Sequence, residues 1–288
     1  MQLILFDTIH RDRLLPLAFT RPASDLRVGI LTITEKWEQE LGMASSFLTA
    51  DYLQGKYPCQ PGEDNLLVNG MLLPDDQVVS AISSLEPEQA LLKEGVILAV
   101  RTSRTGVENF GEWPWMDQGE EYDGSVSLVD RPWFIFALNG REIEADYRRL
   151  THNRVSGRLS PTVRVDEPDN VFVEEGFRGE NFTLNASLGR VYLGKDSEIM
   201  EGCMIRGPFA LCEGSVVKMG AKIYGPTTIG PYSKVGGEIN NSVLQANSNK
   251  SHDGFLGNSV LGEWCNLGAD TNNSNLKNNY GEVKIWDY

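Results

Sequence analysis

The residues best suited to chemistry stand near the C-terminal end, in "NKSHDGFLGNSVLGEWCNLGAD" (249–270). His252 is one of three histidines in 288 residues and is wrapped in small polar residues and glycine. That setting predicts a loop, and loops carry chemistry more often than cores do. Imidazole is the side chain whose ordinary pKa suits general-base work near neutrality. His10 and His152 have no comparable surroundings. The cysteines Cys59, Cys203, Cys212 and Cys265 form no CxxC pair and have no histidine nearby, so neither a zinc site nor a disulfide framework is expected, and reduced thiols are.

Two kinds of periodicity must position these residues. From residue 193, aliphatic side chains recur every six residues: Leu193, Ile199, Ile205, Leu211, Val217, Ile223, Ile229 and Val235. Most are followed four residues later by a small side chain, as at Ser197, Cys203, Ser215, Ala221, Thr227 and Ser233. Neither a helix nor a strand repeats at six, whereas the turns of a parallel β-helix do. The phase breaks after Val235, where Asn241 takes the next aliphatic place, and a clear hexad returns at Leu261 and Leu267. A loop leaving the coil is expected there, with His252 in it.

The first half alternates short buried-strand patterns (3–6, 65–70, 95–100) with helical spacing (30–41, 75–85, 136–150). That alternation predicts a mostly parallel α/β sheet. The polar stretch 151–170 sets the boundary, giving an α/β domain over 1–155 and a β-helix over 156–288.

The formal charge of −14 is spread along the chain and disfavours nucleic acid and anionic membrane as partners. No signal-peptide pattern opens the sequence and no apolar run approaches 18 residues. A soluble, cytoplasmic protein is expected.

The run "RDRLLPLAFTRPASDLRVGI" (11–30) resembles the start of sugar nucleotidyltransferases, with Arg13, Leu14, Pro16, Leu17, Thr20, Arg21 and Pro22 at matching positions. "RPWFIFALNGREIEADYRRLT" (131–151) resembles the same GlmU-like family, in which a nucleotidyltransferase-like domain precedes hexapeptide repeats. The hexads resemble those of hexapeptide-repeat acyltransferases, which implies a left-handed β-helix. The resemblance also implies nucleotide-phosphate binding by Arg13 and Arg21, and Mg2+ on Asp75 or Asp76 if the first domain is active. The chain departs from the pattern in lacking the glycine loop ("FDTIHRD" stands there), in Ala23 for a lysine, and in Asn69 for an aspartate.

His252, Phe255, Gly257, Asn266, Gly268, Ala269 and Thr271 match, in order and spacing, the acetyltransferase half of the bifunctional members. The resemblance implies His252 as base, Glu238 as the acidic partner, and Phe255, Asn266, Ala269 and Asn275 as contacts to acceptor and acyl-CoA. Phe255 replaces a tyrosine, Asn240 a lysine and Asp270 a small residue, so the acceptor is expected to differ in detail. Only two hexads follow the break, so a β-helix truncated at its C-terminal end is expected. The family also implies a homotrimer acting on sugar phosphates or sugar nucleotides. Three functions follow: acyl (acetyl) transfer from acetyl-CoA or another acyl-CoA, nucleotidyl transfer to a sugar 1-phosphate, and a non-catalytic sugar-nucleotide-binding or regulatory protein.

Overall fold

The computed structural model describes all residues except 274, 283 and 285–288, and omits the side chains of 112 and 113. The chain divides into two compact units. The first comprises Met1–Leu26 and Leu31–Arg131; the second comprises Arg27–Ile30 and the chain from Pro132 onward.

In the first unit β1 (Gln2–Phe6), β2 (Ser45–Leu48), β3 (Asp64–Asn69), β4 (Gln89–Lys93), β5 (Val96–Ser103) and β6 (Glu120–Glu121) form one sheet in the order β2-β1-β3-β5-β4-β6. The first three strands are parallel, as the alternation of strands and helices requires, but β5 runs antiparallel to both β3 and β4. The sheet is therefore mixed but mostly parallel, a Rossmann-like arrangement in which β5 alone runs against the other strands. The hairpin that reverses it turns on Glu94 and Gly95, both at positive φ, the backbone a tight two-residue turn requires. Helices α1 (Ile33–Leu41) and α2 (Asp76–Ser83) begin at strong caps. Thr32 and Glu35 form a reciprocal capping box, and Asp75 accepts the backbone N–H groups of Gln77 and Val78. Two short helices follow, α3 (Arg104–Glu108) and α4 (Glu112–Gln118).

The second unit opens with α5 (Pro132–Thr151) and continues as a parallel β-solenoid of about five turns, consistent with a left-handed β-helix. Its strands are β7 (Arg164–Asp166), β8 (Val171–Val173), β9 (Arg178–Gly179), β10 (Thr183–Asn185), β11 (Val191–Leu193), β12 (Glu198–Ile199), β13 (Met204–Arg206), β14 (Phe209–Leu211), β15 (Val216–Val217), β16 (Lys222–Tyr224), β17 (Thr227–Ile229), β18 (Lys234–Val235), β19 (Glu238–Leu244), β20 (Asn249–Lys250) and β21 (Phe255–Leu261). The six-residue phase is the physical basis of the coil. Leu193 pairs with Leu211 and Leu211 with Ile229, each three hexads on, and Ile199, Val217 and Val235 form a second column. All eight aliphatic residues of the phase are buried in one core. The small residues that follow them turn the corners inside the prism, where the Ser197 and Ser215 hydroxyls donate to the carbonyls of Gly194 (2.6 Å) and Gly230 (2.8 Å). Cys203 and Cys212 are buried and Cys59 and Cys265 half-buried, all four as free thiols.

After Val235 the coil shortens but no loop leaves it, which corrects the expectation from Asn241. The corner between β18 and β19 has only Gly236 and Gly237, where the preceding coil uses 218–221. The inward positions shift to Ile239, Leu244, Lys250, Leu256 and Leu261, each in register with the coil before. Asn241 sits on a corner at positive φ, which asparagine tolerates.

α5 belongs to the solenoid's unit by its polar contacts as well as its apolar face. Fully buried Asn139 and Asp146 accept the backbone N–H groups of Gly29 and Ile30, each at 2.8 Å. Gly29 is held at positive φ, and a side chain there would strike Asp146 and the backbone of Glu142. No helix among the described residues is long and apolar enough to cross a membrane.

Candidate functional site

His252 lies on the four-residue corner 251–254 that joins β20 to β21. The corner stacked against it is Gly236–Gly237, two residues shorter, and His252 is exposed. The close approach needs glycine: a Cβ at Gly236 would lie 2.1 Å from the Ser251 carbonyl oxygen, and one at Gly237 2.8 Å from that of Gly254. Glu238 begins β19 next to this corner, half-buried, with its N–H donating to Gly254 O at 3.2 Å. It is the register partner of Phe255.

The structure brings Phe255 and Asn275 together. A Cβ added at Gly257 would meet Phe255 Cζ at 2.5 Å and Asn275 Nδ2 at 3.0 Å, so ring and amide share the space that glycine leaves open. Asn266 is exposed and accepts from Asn249 Nδ2 at 2.6 Å, one rung of an asparagine ladder. Its own N–H groups make no bond among the described residues. Ala269 is exposed in the following turn. His252, Glu238 and Phe255 thus cluster on one edge of the coil, with Asn275 against Phe255; the ladder holds Asn266 one coil on.

One buried cation at this corner was not foreseen. Lys250 occupies the inward position that Val217 and Val235 hold in the preceding coils, and is only 2% exposed. Its Nζ donates to Gly236 O at 3.0 Å and to His252 O at 2.6 Å. Burial pushes its pKa below the ordinary lysine value, against the pull of Asp253. The signal was in the sequence: Ile239, Leu244, Lys250 and Leu256 keep the spacing once the short corners are allowed for.

In the first unit, the basic residues expected to meet phosphate are engaged elsewhere. Arg21 is buried and pairs with Asp25 Oδ2 at 3.5 Å, which also accepts the Tyr57 hydroxyl at 2.8 Å. Arg13, about two-fifths exposed, reaches Asp130 at 3.4 Å. Asp75 spends Oδ1 on the α2 N-terminus, while Asp76 is exposed in the first turn. Asn69 is buried, donating to Ile97 O at 2.8 Å and accepting Met71 N–H at 2.9 Å. Among the described residues no group of three His, Cys, Asp or Glu side chains could hold a metal ion.

A cleft of about 750 Å3 opens where β1 and β2 end, lined by Asp7, Arg11 and Thr49 among others. Asp7 accepts from the Thr49 hydroxyl and, at 2.9 Å, from the Ala23 N–H, and pairs with Arg11 Nε at 3.1 Å. Burial nevertheless pushes its pKa above the ordinary aspartate value. Arg11 also donates to the Ala18 carbonyl and to the Tyr52 hydroxyl. An aspartate directly following a buried strand was the available signal.

A family profile described as sugar nucleotidyl transferase matches residues 3–155, more than half of the chain. The chain belongs to that family. It is also similar to the bifunctional protein GlmU of Rippkaea orientalis (strain PCC 8801 / RF-1), 27% identical over 163 residues, which cover 56% of this chain and 31% of that protein. The chain thus spans about a third of that relative's length. The cleft at the ends of β1 and β2 lies within the matched residues, and the loop after β1 carries Asp7 and Arg11 and no glycine.

Proposed function

We propose that the protein transfers an acyl group from acetyl-CoA or another acyl-CoA to a sugar phosphate or sugar nucleotide, with His252 as general base. The observation that carries this reading is exposed His252 on a four-residue corner stacked on a two-residue one, with Glu238 starting the adjacent strand. In the reaction the acceptor's amine or hydroxyl attacks the thioester carbonyl carbon and His252 takes its proton. The tetrahedral intermediate collapses, the C–S bond breaks, and the proton passes to the departing coenzyme A thiolate. Glu238 orients the imidazole or the amine. Phe255 and Asn275 bound the acceptor, while Asn266 and the backbone at Ala269 offer donors to the developing oxyanion. The working form is a homotrimer in the cytoplasm, with neither nucleic acid nor membrane as partner.

The deciding experiment is acetyl-CoA turnover against a panel of amino-sugar phosphates. His252→Ala should lower the rate roughly 100-fold or more while His152→Ala does little. Equal rates with and without His252 would remove it from the chemistry. No acyl transfer by the wild type would leave nucleotidyl transfer or a sugar-nucleotide-binding role.

The family match over 3–155 and the cleft at the ends of β1 and β2 favour a second reading, nucleotidyl transfer to a sugar 1-phosphate, since open α/β sheets bind ligands at that edge. Because Arg21 is committed to Asp25, turnover by this unit is expected to be slow. Pyrophosphate release at ordinary enzyme rates, abolished by Arg13→Ala, would make this the main activity.

A further inference from the structure

Nothing in a β-solenoid core calls for an amine. The column Ile199, Val217, Val235 continues into Lys250, and the branched aliphatic residue expected there would fill the prism without any polar partner. Burying a lysine at such a site is unfavourable unless its nitrogen is satisfied. Here Nζ has two acceptors, and both are corner carbonyls: Gly236 O on the short corner at 3.0 Å, and His252 O on the long one at 2.6 Å. The backbone adds a third tie, Gly236 N–H to Lys250 O at 2.8 Å. The amine therefore bridges two successive corners from inside the coil, and one of its acceptors is the carbonyl of exposed His252.

We propose that Lys250 is a positioning residue: its Nζ fixes the backbone of the His252 corner against the Gly236 corner, and so sets where the imidazole stands. The assignment rests on the acyl-transfer reading for its catalytic consequence, but not for its structural one. Without the amine, the four-residue corner has two residues more than its neighbour and no side-chain tie from within. Its backbone would sample several arrangements, and the proton-accepting nitrogen would spend less time at the acceptor.

Lys250→Met in the full chain keeps the volume and removes both hydrogen bonds. We expect it to fold, with amide hydrogen exchange across 251–254 at least ten-fold faster than in the wild type and exchange across 227–235 unchanged. A side chain that merely filled the core would leave both segments unchanged, and that result would overturn the proposal. In the acyl-transfer assay the same variant should lose at least ten-fold in kcat with KM for acyl-CoA altered less than two-fold. Faster corner exchange in a protein whose wild type shows no acyl transfer would uphold the positioning role and sink the enzymatic reading alone. Corner loosening with unchanged kcat would overturn the catalytic consequence. Should Lys250→Met fail to fold, 15N spectroscopy of the wild-type Lys250 side chain decides instead. Couplings from Nζ across hydrogen bonds to the Gly236 and His252 carbonyl carbons are expected, and a freely rotating Nζ without them would refute the bridge.

Discussion

Gln245 closes a two-way hydrogen-bonded pair with the backbone of Arg27, a residue 218 positions earlier. Its Oε1 accepts the Arg27 N–H at 2.6 Å and its Nε2 donates to the Arg27 carbonyl at 3.1 Å. All of these groups are buried, so a side chain without an amide leaves a donor and an acceptor unpaired. Gln245→Ala should destabilise the second unit by about 2 to 4 kcal/mol, read by urea unfolding followed in that unit. A cost below about 0.5 kcal/mol would mean that water replaces the amide.

Lys250 predicts a pH signature. A base whose folded pKa lies below its unfolded value binds fewer protons folded than unfolded between the two, so stability rises with pH through that window and levels off above the unfolded value. Lys250→Met removes this dependence. The variant should melt at or above the wild-type temperature at neutral pH, and its advantage should shrink as pH approaches the ordinary lysine value of about 10.4. A constant difference from pH 7 to 11 would show that the amine is not held below its usual value.

Glu174 predicts a slope of the same sign, displaced to the acid range. Burial alone would push its carboxyl up, but Arg154, which bonds both oxygens, and the Tyr192 hydroxyl at 2.8 Å outweigh burial and hold it below the ordinary value. An acid depressed on folding contributes stability above its unfolded pKa, and that stability is lost as pH falls through the folded value. Glu174→Gln should cost about 2 kcal/mol at pH 7. Thermal melts of the two proteins should converge in strong acid.

Gly236→Ala tests the close approach of the corners. The added methyl would meet the Ser251 carbonyl oxygen, so the His252 corner must move. If His252 is the base, acyl transfer should fall by roughly ten-fold or more, with far-UV circular dichroism unchanged. Full activity would show that the corner tolerates displacement.

Assembly is tested by light scattering of the intact protein at micromolar concentration. Three copies are expected; a monomer over that range would remove any site shared between neighbouring coils.

Much of the fold was legible because burial imposes a period on the sequence. Leu193 to Val235 announce the coil, since only inward positions must be aliphatic, and the helical spacing at 33–41 and 76–83 survives because each helix also carries its own cap. The single reversed strand, β5, was not legible because its direction lies in the Glu94–Gly95 turn, not in the apolar pattern. The shift after Val235 was misread because Gly236–Gly237 shortens a corner without changing what lies inside, so a six-residue count lands on Asn241 while the core runs through Ile239. Lys250 escaped notice for a related reason: lysine is counted as surface, and only its register with Val235 puts it in the core. Arg21 illustrates the converse, since a motif gives its place in the chain but not that Asp25 and Tyr57 engage the same buried corner.

The short strap Arg27–Ile30, gripped by Asn139, Asp146 and Gln245, also bears on how the protein is made. During synthesis the strap leaves the ribosome long before the coil that holds its amide partner exists. The solenoid can wind as it emerges, each turn laid on the last, but its polar seam stays open until the residue 218 positions behind the strap arrives. Cutting the gene at the linker, as repeat boundaries invite, would sever the strap from its unit and leave buried donors and acceptors facing one another's absence.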